Sequence, residues 1–109
     1  NCSFCVDLNS ATLLRRGVPG QKVEALPRWR QSDLFSAAEK AALDYADAMT
    51  RYDRSVDDAV FAALREHFDD DAIIELTGLI AFQNLSSKFN SARAVPAQGF
   101  CPLPNADLE

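Results

Sequence analysis

Cys2 and Cys5 stand three residues apart in the run Asn1-Cys-Ser-Phe-Cys-Val-Asp-Leu-Asn-Ser-Ala11. Residues at this spacing share one face of a helix, so the two sulfurs can meet. Backbone N–H groups in the first turn favour a thiolate, and the thiolate is the reactive form of cysteine. Two chemistries are open to such a pair. A thiolate can attack a peroxide oxygen to give a sulfenic acid, which the second thiol condenses into a disulfide. Alternatively, the pair can exchange with a disulfide on another molecule. The helix-end argument taken alone makes Cys2 the more acidic thiol.

Few other side chains compete for a chemical role. Asn9 shares the face of the pair and can orient a group by hydrogen bonding, but it accepts no proton at neutral pH. Asp7 projects to another side of the helix and is expected to face solvent or a partner. His67, the single histidine, falls on an apolar stripe and reads first as a core residue rather than a catalyst. Glu75 lies inside an apolar helix, where burial would raise its pKa and could make it a base; an ion pair or an exposed position is the plainer reading. Cys101 sits in a Pro-punctuated tail and reads as a bystander. A structural zinc site needs four ligands. Cys2, Cys5, Cys101 and His67 could form such a set, but no second close-spaced ligand pair accompanies them. Neither a metal nor a cofactor is expected, and Trp29, Tyr45 and Phe82 read as core or interface residues.

The elements that must position the pair read as helices throughout. Cys2 to Arg16 follows a period near 3.6, with Phe4, Leu8, Ala11 and Leu14 widening its apolar side. Arg15 and Arg16 suit the end of that helix, and Gly17 can supply a left-handed cap. A short helix is predicted over 21–25, closing before Pro27. Ser36-Ala-Ala-Glu39 is a capping-box pattern. It opens a helix with Ala38, Ala42, Tyr45, Ala46, Met49 and Tyr52 on one face. Ser55 is expected to cap the next helix, whose stripe runs Val56, Ala59, Val60, Ala63, Leu64, His67 and Phe68. Asp69-Asp70-Asp71 breaks and caps again. The helix over 72–92 is apolar nearly all round from Ile73 to Leu85, so it is expected to be central and the most buried. Residues 97–109 read as an extended tail. No stretch alternates with period two long enough for a strand. The predicted fold is one all-α domain over 1–109, built of antiparallel helix pairs.

The 109 residues carry a net charge of −5, with 48% hydrophobic and 25% charged residues, values of an ordinary globular domain. Arg15, Arg16, Arg28 and Arg30 are too sparse to form a phosphate-binding stripe, which disfavours nucleic acid. The longest apolar run, Ala72 to Leu85, is short and broken by Glu75, Thr77, Gln83 and Asn84, so no membrane span is expected. Three cysteines are an odd and small set for a secreted disulfide scaffold, which points to the reducing cytoplasm. The chain opens at Asn1 without methionine, directly before the pair, so an upstream part is expected to be missing. Leu108-Glu109 reads as a vector scar.

The run 1–11, followed by Arg15-Arg-Gly-Val18, Phe35-Ser-Ala-Ala-Glu-Lys-Ala-Ala-Leu-Asp-Tyr-Ala46 and Glu75-Leu-Thr-Gly-Leu-Ile-Ala81 with Asn84, resembles the carboxymuconolactone decarboxylase-like superfamily. Specifically, it resembles the AhpD-like alkylhydroperoxidase branch, over roughly residues 1 to 95. The resemblance implies an AhpD-like helical bundle that assembles as a dimer, trimer or hexamer. It also implies thiol peroxidase chemistry on a small hydroperoxide, with Cys5 peroxide-reactive and Cys2 resolving. This order reverses the helix-end argument. The family's peroxidases carry a histidine where this chain has Asn9, and a glutamate from an upstream helix. The family's decarboxylases generally lack the cysteine pair. Two further readings stand beside the redox one. One is a non-enzymatic helical assembly module whose cysteines are structural, favoured by Asn9. The other is a small-molecule site between subunits.

Overall fold

A computed structural model describes residues 2–102, so Asn1 and residues 103–109, including the end of the predicted tail and Leu108-Glu109, lie outside the described residues. Among the described residues the structure is all-helical. It comprises α1 (Ser3–Arg15), α2 (Gly20–Ala25), a 3-10 segment (Leu26–Gln31), α3 (Ala37–Thr50), α4 (Asp58–Arg65) and α5 (Asp70–Ala92). The chain divides into two units, one of residues 1–34 with 85–109 and one of residues 35–84. No described helix is long and apolar enough to cross a membrane.

The first unit holds the cysteine pair. α1 ends as its sequence predicts. Gly17 adopts a positive φ of 91°, and Gly17 N–H and Val18 N–H close onto the carbonyls of Leu14 and Leu13, each at 3.1 Å. This is the paired bonding of a Schellman cap, which satisfies carbonyls that would otherwise lack donors. The short helix continues past Pro27 into the 3-10 segment, contrary to the expected stop. Proline is tolerated at the start of a helical turn, where its missing N–H is not needed. Arg30 lies over the Trp29 ring at 4.3 Å. α5 ends in a second Schellman pair, with Ala94 N–H on Ser91 and Val95 N–H on Asn90. Ala94 itself carries the left-handed φ of 55°.

In the second unit, Ser36 and Glu39 form the predicted capping box, with Glu39 N–H to Ser36 Oγ at 3.1 Å and Ser36 N–H to Glu39 Oε1 at 2.9 Å. The cap of α4 is Asp57 rather than Ser55, its Oδ1 accepting Val60 N–H at 2.9 Å. Arg54 is drawn back onto α3 by Asp44 and Asp47 at 3.0 and 2.7 Å, which keeps the preceding loop out of the helix. The core joins Tyr45, Ala48, Val60, Leu64, Ile73 and Ile80, with Met49, Phe61, Phe68 and Leu76 packed against them. Thr77 Oγ1 donates to the Ile73 carbonyl at 2.6 Å, so the buried Tyr45 hydroxyl donates to Thr77 at 2.7 Å. Tyr52 falls beyond the end of α3 and is fully exposed.

α5 is not the buried helix its composition suggested. Ile73 and Ile80 are buried, but Ile74, Leu79, Phe82, Leu85 and Phe89 are exposed. A 23-residue helix of apolar residues all round has more surface than its described neighbours cover. Leu64, at 0% exposure, is the most enclosed side chain of the second unit. Its truncation in Leu64→Ala is expected to cost about 2–5 kcal/mol through lost burial and an unfilled cavity, read from urea unfolding curves.

Candidate functional site

Cys2 occupies the position just before α1, with extended dihedrals (φ −127°, ψ 98°). Its Sγ accepts the backbone N–H of Cys5 at 3.1 Å. A sulfur here takes the place of the oxygen that serine or aspartate supplies at a helix start. The Cα atoms of Cys2 and Cys5 are 5.2 Å apart, and the two sulfurs are joined as a disulfide. Cys2 is only 7% exposed, whereas Cys5 is half-buried. The spacing thus brings the sulfurs together as the sequence implied, with Cys5 the more open of the two.

Two partners reach α1 from the far end of the chain. Asn90, on the last turns of α5, donates from Nδ2 to Cys5 Sγ at 3.6 Å and to Ser86 Oγ at 3.3 Å. Asp7 is buried at 4% exposure against the chain's own tail, which corrects the expectation that it faces solvent or a partner. Its Oδ2 accepts N–H from Gln98 at 3.0 Å and Phe100 at 2.8 Å, and its Oδ1 accepts N–H from Cys101 at 2.8 Å. Phe100 sets its ring edge-to-face against Phe4, centroids 6.4 Å apart. Burial is the largest single influence on Asp7 and pushes its pKa up. The N–H groups of Phe100, Cys101, Gln98 and Gly99 together outweigh it and hold the carboxyl below its ordinary value.

The remaining candidates differ in exposure. Asn9 is exposed, one turn beyond Cys5 on α1. His67 follows the end of α4 and is exposed, because the helix stops at Arg65 before the stripe reaches it. Glu75 is exposed on α5 rather than buried within it. Cys101 is a partly buried free thiol whose backbone N–H is bonded to Asp7. No metal-binding group of three or more ligands occurs among the described residues. Tyr45 is in the core, Trp29 is half-buried and Phe82 is exposed. Sequence reasoning passed over Asn90, although Ser86 and Asn90 form a polar i, i+4 pair in an apolar helix. It also misplaced Asp7, which lies between Phe4 and Ala11 on the apolar side.

Residues 1–48 match the model of the carboxymuconolactone decarboxylase family. The matched segment makes up under half of the chain. It carries α1 with the cysteine pair, α2, the 3-10 segment and most of α3. The chain is 48% identical over 103 residues to the uncharacterized protein YnjA of Escherichia coli (strain K12), an alignment covering 94% of this chain and 57% of YnjA. It is 30% identical over 80 residues to the uncharacterized protein YdfG of Bacillus subtilis (strain 168), covering 72% of this chain and 54% of YdfG. The chain therefore spans about half the length of these curated relatives. No solved structure matches it.

The Asp7 contacts give a pH dependence whose sign is fixed. A carboxyl held below its ordinary value in the folded chain contributes stability above the unfolded carboxyl pKa. That contribution is lost as pH falls through the lowered folded value. In Asp7→Asn one acceptor oxygen becomes a donor facing backbone N–H groups. The variant should melt below the wild type at neutral pH, and the gap should narrow as the solution is acidified through and below the usual aspartate range. Thermal melts followed by circular dichroism across pH check this.

Proposed function

We propose that the cysteine pair is a thiol redox centre of the AhpD-like alkylhydroperoxidase kind, acting on small hydroperoxides or exchanging disulfides. The observation that supports this best is the pairing of Cys2 and Cys5 sulfurs on the first turn of α1. In the reduced state Cys5, the more open sulfur, attacks the terminal oxygen of a hydroperoxide as a thiolate. The O–O bond breaks, an S–O bond forms, and the alkoxide leaves with a proton from water. Sulfur has then lost two electrons to become a sulfenic acid. Cys2 attacks that sulfur, the S–S bond forms, and the hydroxyl departs as water with the thiol proton. An external dithiol returns two electrons and two protons to regenerate both thiols.

Asn9, in place of the histidine of the family's peroxidases, can orient a group but cannot relay a proton. The same residue favours the second reading, a helical module with structural cysteines. Peroxide consumption with an added dithiol separates the two readings. Wild type is expected to turn over, and Cys5→Ser is expected to fall to the rate of a protein-free blank. Cys2→Ser should stop at a sulfenic acid that a dimedone-type probe traps. Equal rates in wild type and Cys5→Ser would sink the peroxidase reading. A centre cycling in this way suits a reducing compartment such as the cytoplasm.

Association of copies accompanies this proposal. Ile74, Gly78, Phe82, Leu85 and Phe89 recur at helical spacing along one side of α5, and all five are exposed. A contiguous exposed apolar stripe of this kind marks an interaction surface. A homo-oligomer (dimer, trimer or hexamer) would bury it. Phe82→Glu combined with Leu85→Glu should lower the mass measured by light scattering to that of one chain.

A further inference from the structure

The two sulfurs of the pair are held by donors of different kinds. Cys2 Sγ receives a backbone N–H, which any residue at position 5 would supply. Cys5 Sγ receives a side-chain amide, from Asn90, across 85 residues of sequence. The Asn90 amide carries two hydrogens on Nδ2. The structure gives it two acceptors there, Ser86 Oγ one turn earlier on α5 and the sulfur of Cys5 on α1. A separation of 3.6 Å suits a hydrogen bond to sulfur, whose radius exceeds that of oxygen. Asn90 is half-buried, which limits competition from water for the same hydrogens.

We infer that Asn90, oriented by Ser86, is a direct donor to the reacting sulfur and favours the thiolate of Cys5 in the reduced protein. This assignment rests on the redox role proposed for the pair. It also accounts for how Cys5, which lies past the helix start and lacks the capping position of Cys2, can be the acidic thiol. A hydrogen bond to the charged form lowers the pKa of a thiol. An uncharged amide does so without titrating itself. Cys2 beside it and the Asn90 amide from α5 bear on Cys5; Asn9 follows one turn on along α1, and Asp7, two residues on, has its carboxylate bonded to the backbone of the tail.

The test isolates the thiol. In full-length protein carrying Cys2→Ser and Cys101→Ser, serine retains a capping oxygen at position 2. Alkylation of Cys5 by iodoacetamide is then timed against pH. With Asn90 intact, the inflection should fall below the ordinary thiol value of about 8.5. Asn90→Ala should raise it by about one unit, so that alkylation near pH 7 slows roughly tenfold while the rate at high pH stays the same. Asn90→Asp, nearly identical in shape, should raise it further by placing a carboxylate against the thiolate. Ser86→Ala should shift it the same way by less. Asn90→Gln, which keeps the amide, should recover part of the loss. An inflection unmoved in both Asn90→Ala and Asn90→Asp would overturn the assignment, and Asn90→Asp carries the test alone should Asn90→Ala fail to fold. The readout needs no peroxide. A shifted inflection in a protein that consumes none would reject the peroxidase and keep Asn90. Consumption abolished by Cys5→Ser with an unmoved inflection would do the reverse.

Discussion

A carboxylate withdrawn from water must be surrounded by donors, and Asp7 imposes that requirement on its unit. At 4% exposure it has little solvent to lean on. The chain meets its demand with the backbone N–H groups of Gln98, Phe100 and Cys101. A buried charge left without donors is destabilising, so the tail cannot take an arbitrary path. It has to return to α1. The left-handed turn at Ala94, which ends α5, precedes that return, and the positive φ of Gly99 falls within the segment that wraps the carboxylate. Phe100 on Phe4 adds an apolar contact beside the charged one.

The same return fixes the neighbourhood of the sulfurs. α1 is held at its start by the Cys2 cap and at its end by the Gly17 turn. The last turns of α5 place Asn90 against Cys5. The chemistry therefore sits on a short, doubly capped helix whose Cys5 and Asp7 side chains meet partners from residues 90 to 101. Rigid placement of this kind is what a thiol pair needs, because its reaction depends on two sulfurs keeping one separation.

Local features were legible in the sequence, and contacts across the chain were not. The Gly17 cap, the Ser36–Glu39 box and the all-helical class follow from neighbours within a turn or two, and each is realised. The spacing of Cys2 and Cys5 is equally local, so their meeting could be read directly. Asp7 and Asn90 depend on partners 85 to 94 residues away, and periodicity carries no such information. His67 was placed on a stripe that the helix does not reach. Glu75 and the apolar run around it misled for a related reason. Composition says that a surface will be covered, but not by what, and α5 leaves half of its apolar side open among the described residues.

The sulfur of Cys2 has two duties, accepting the Cys5 N–H in the first turn of α1 and sharing the bond with Cys5. Folding and oxidation are consequently two sides of one thermodynamic square, and the free energies around it must sum to zero. If the folded backbone holds the bonded sulfurs better than the free ones, that preference reappears, equal in size, as a difference in fold stability between the oxidised and reduced chains. A helix cap made of sulfur thus ties the electron balance of the solution to how firmly the first turn of α1 is held.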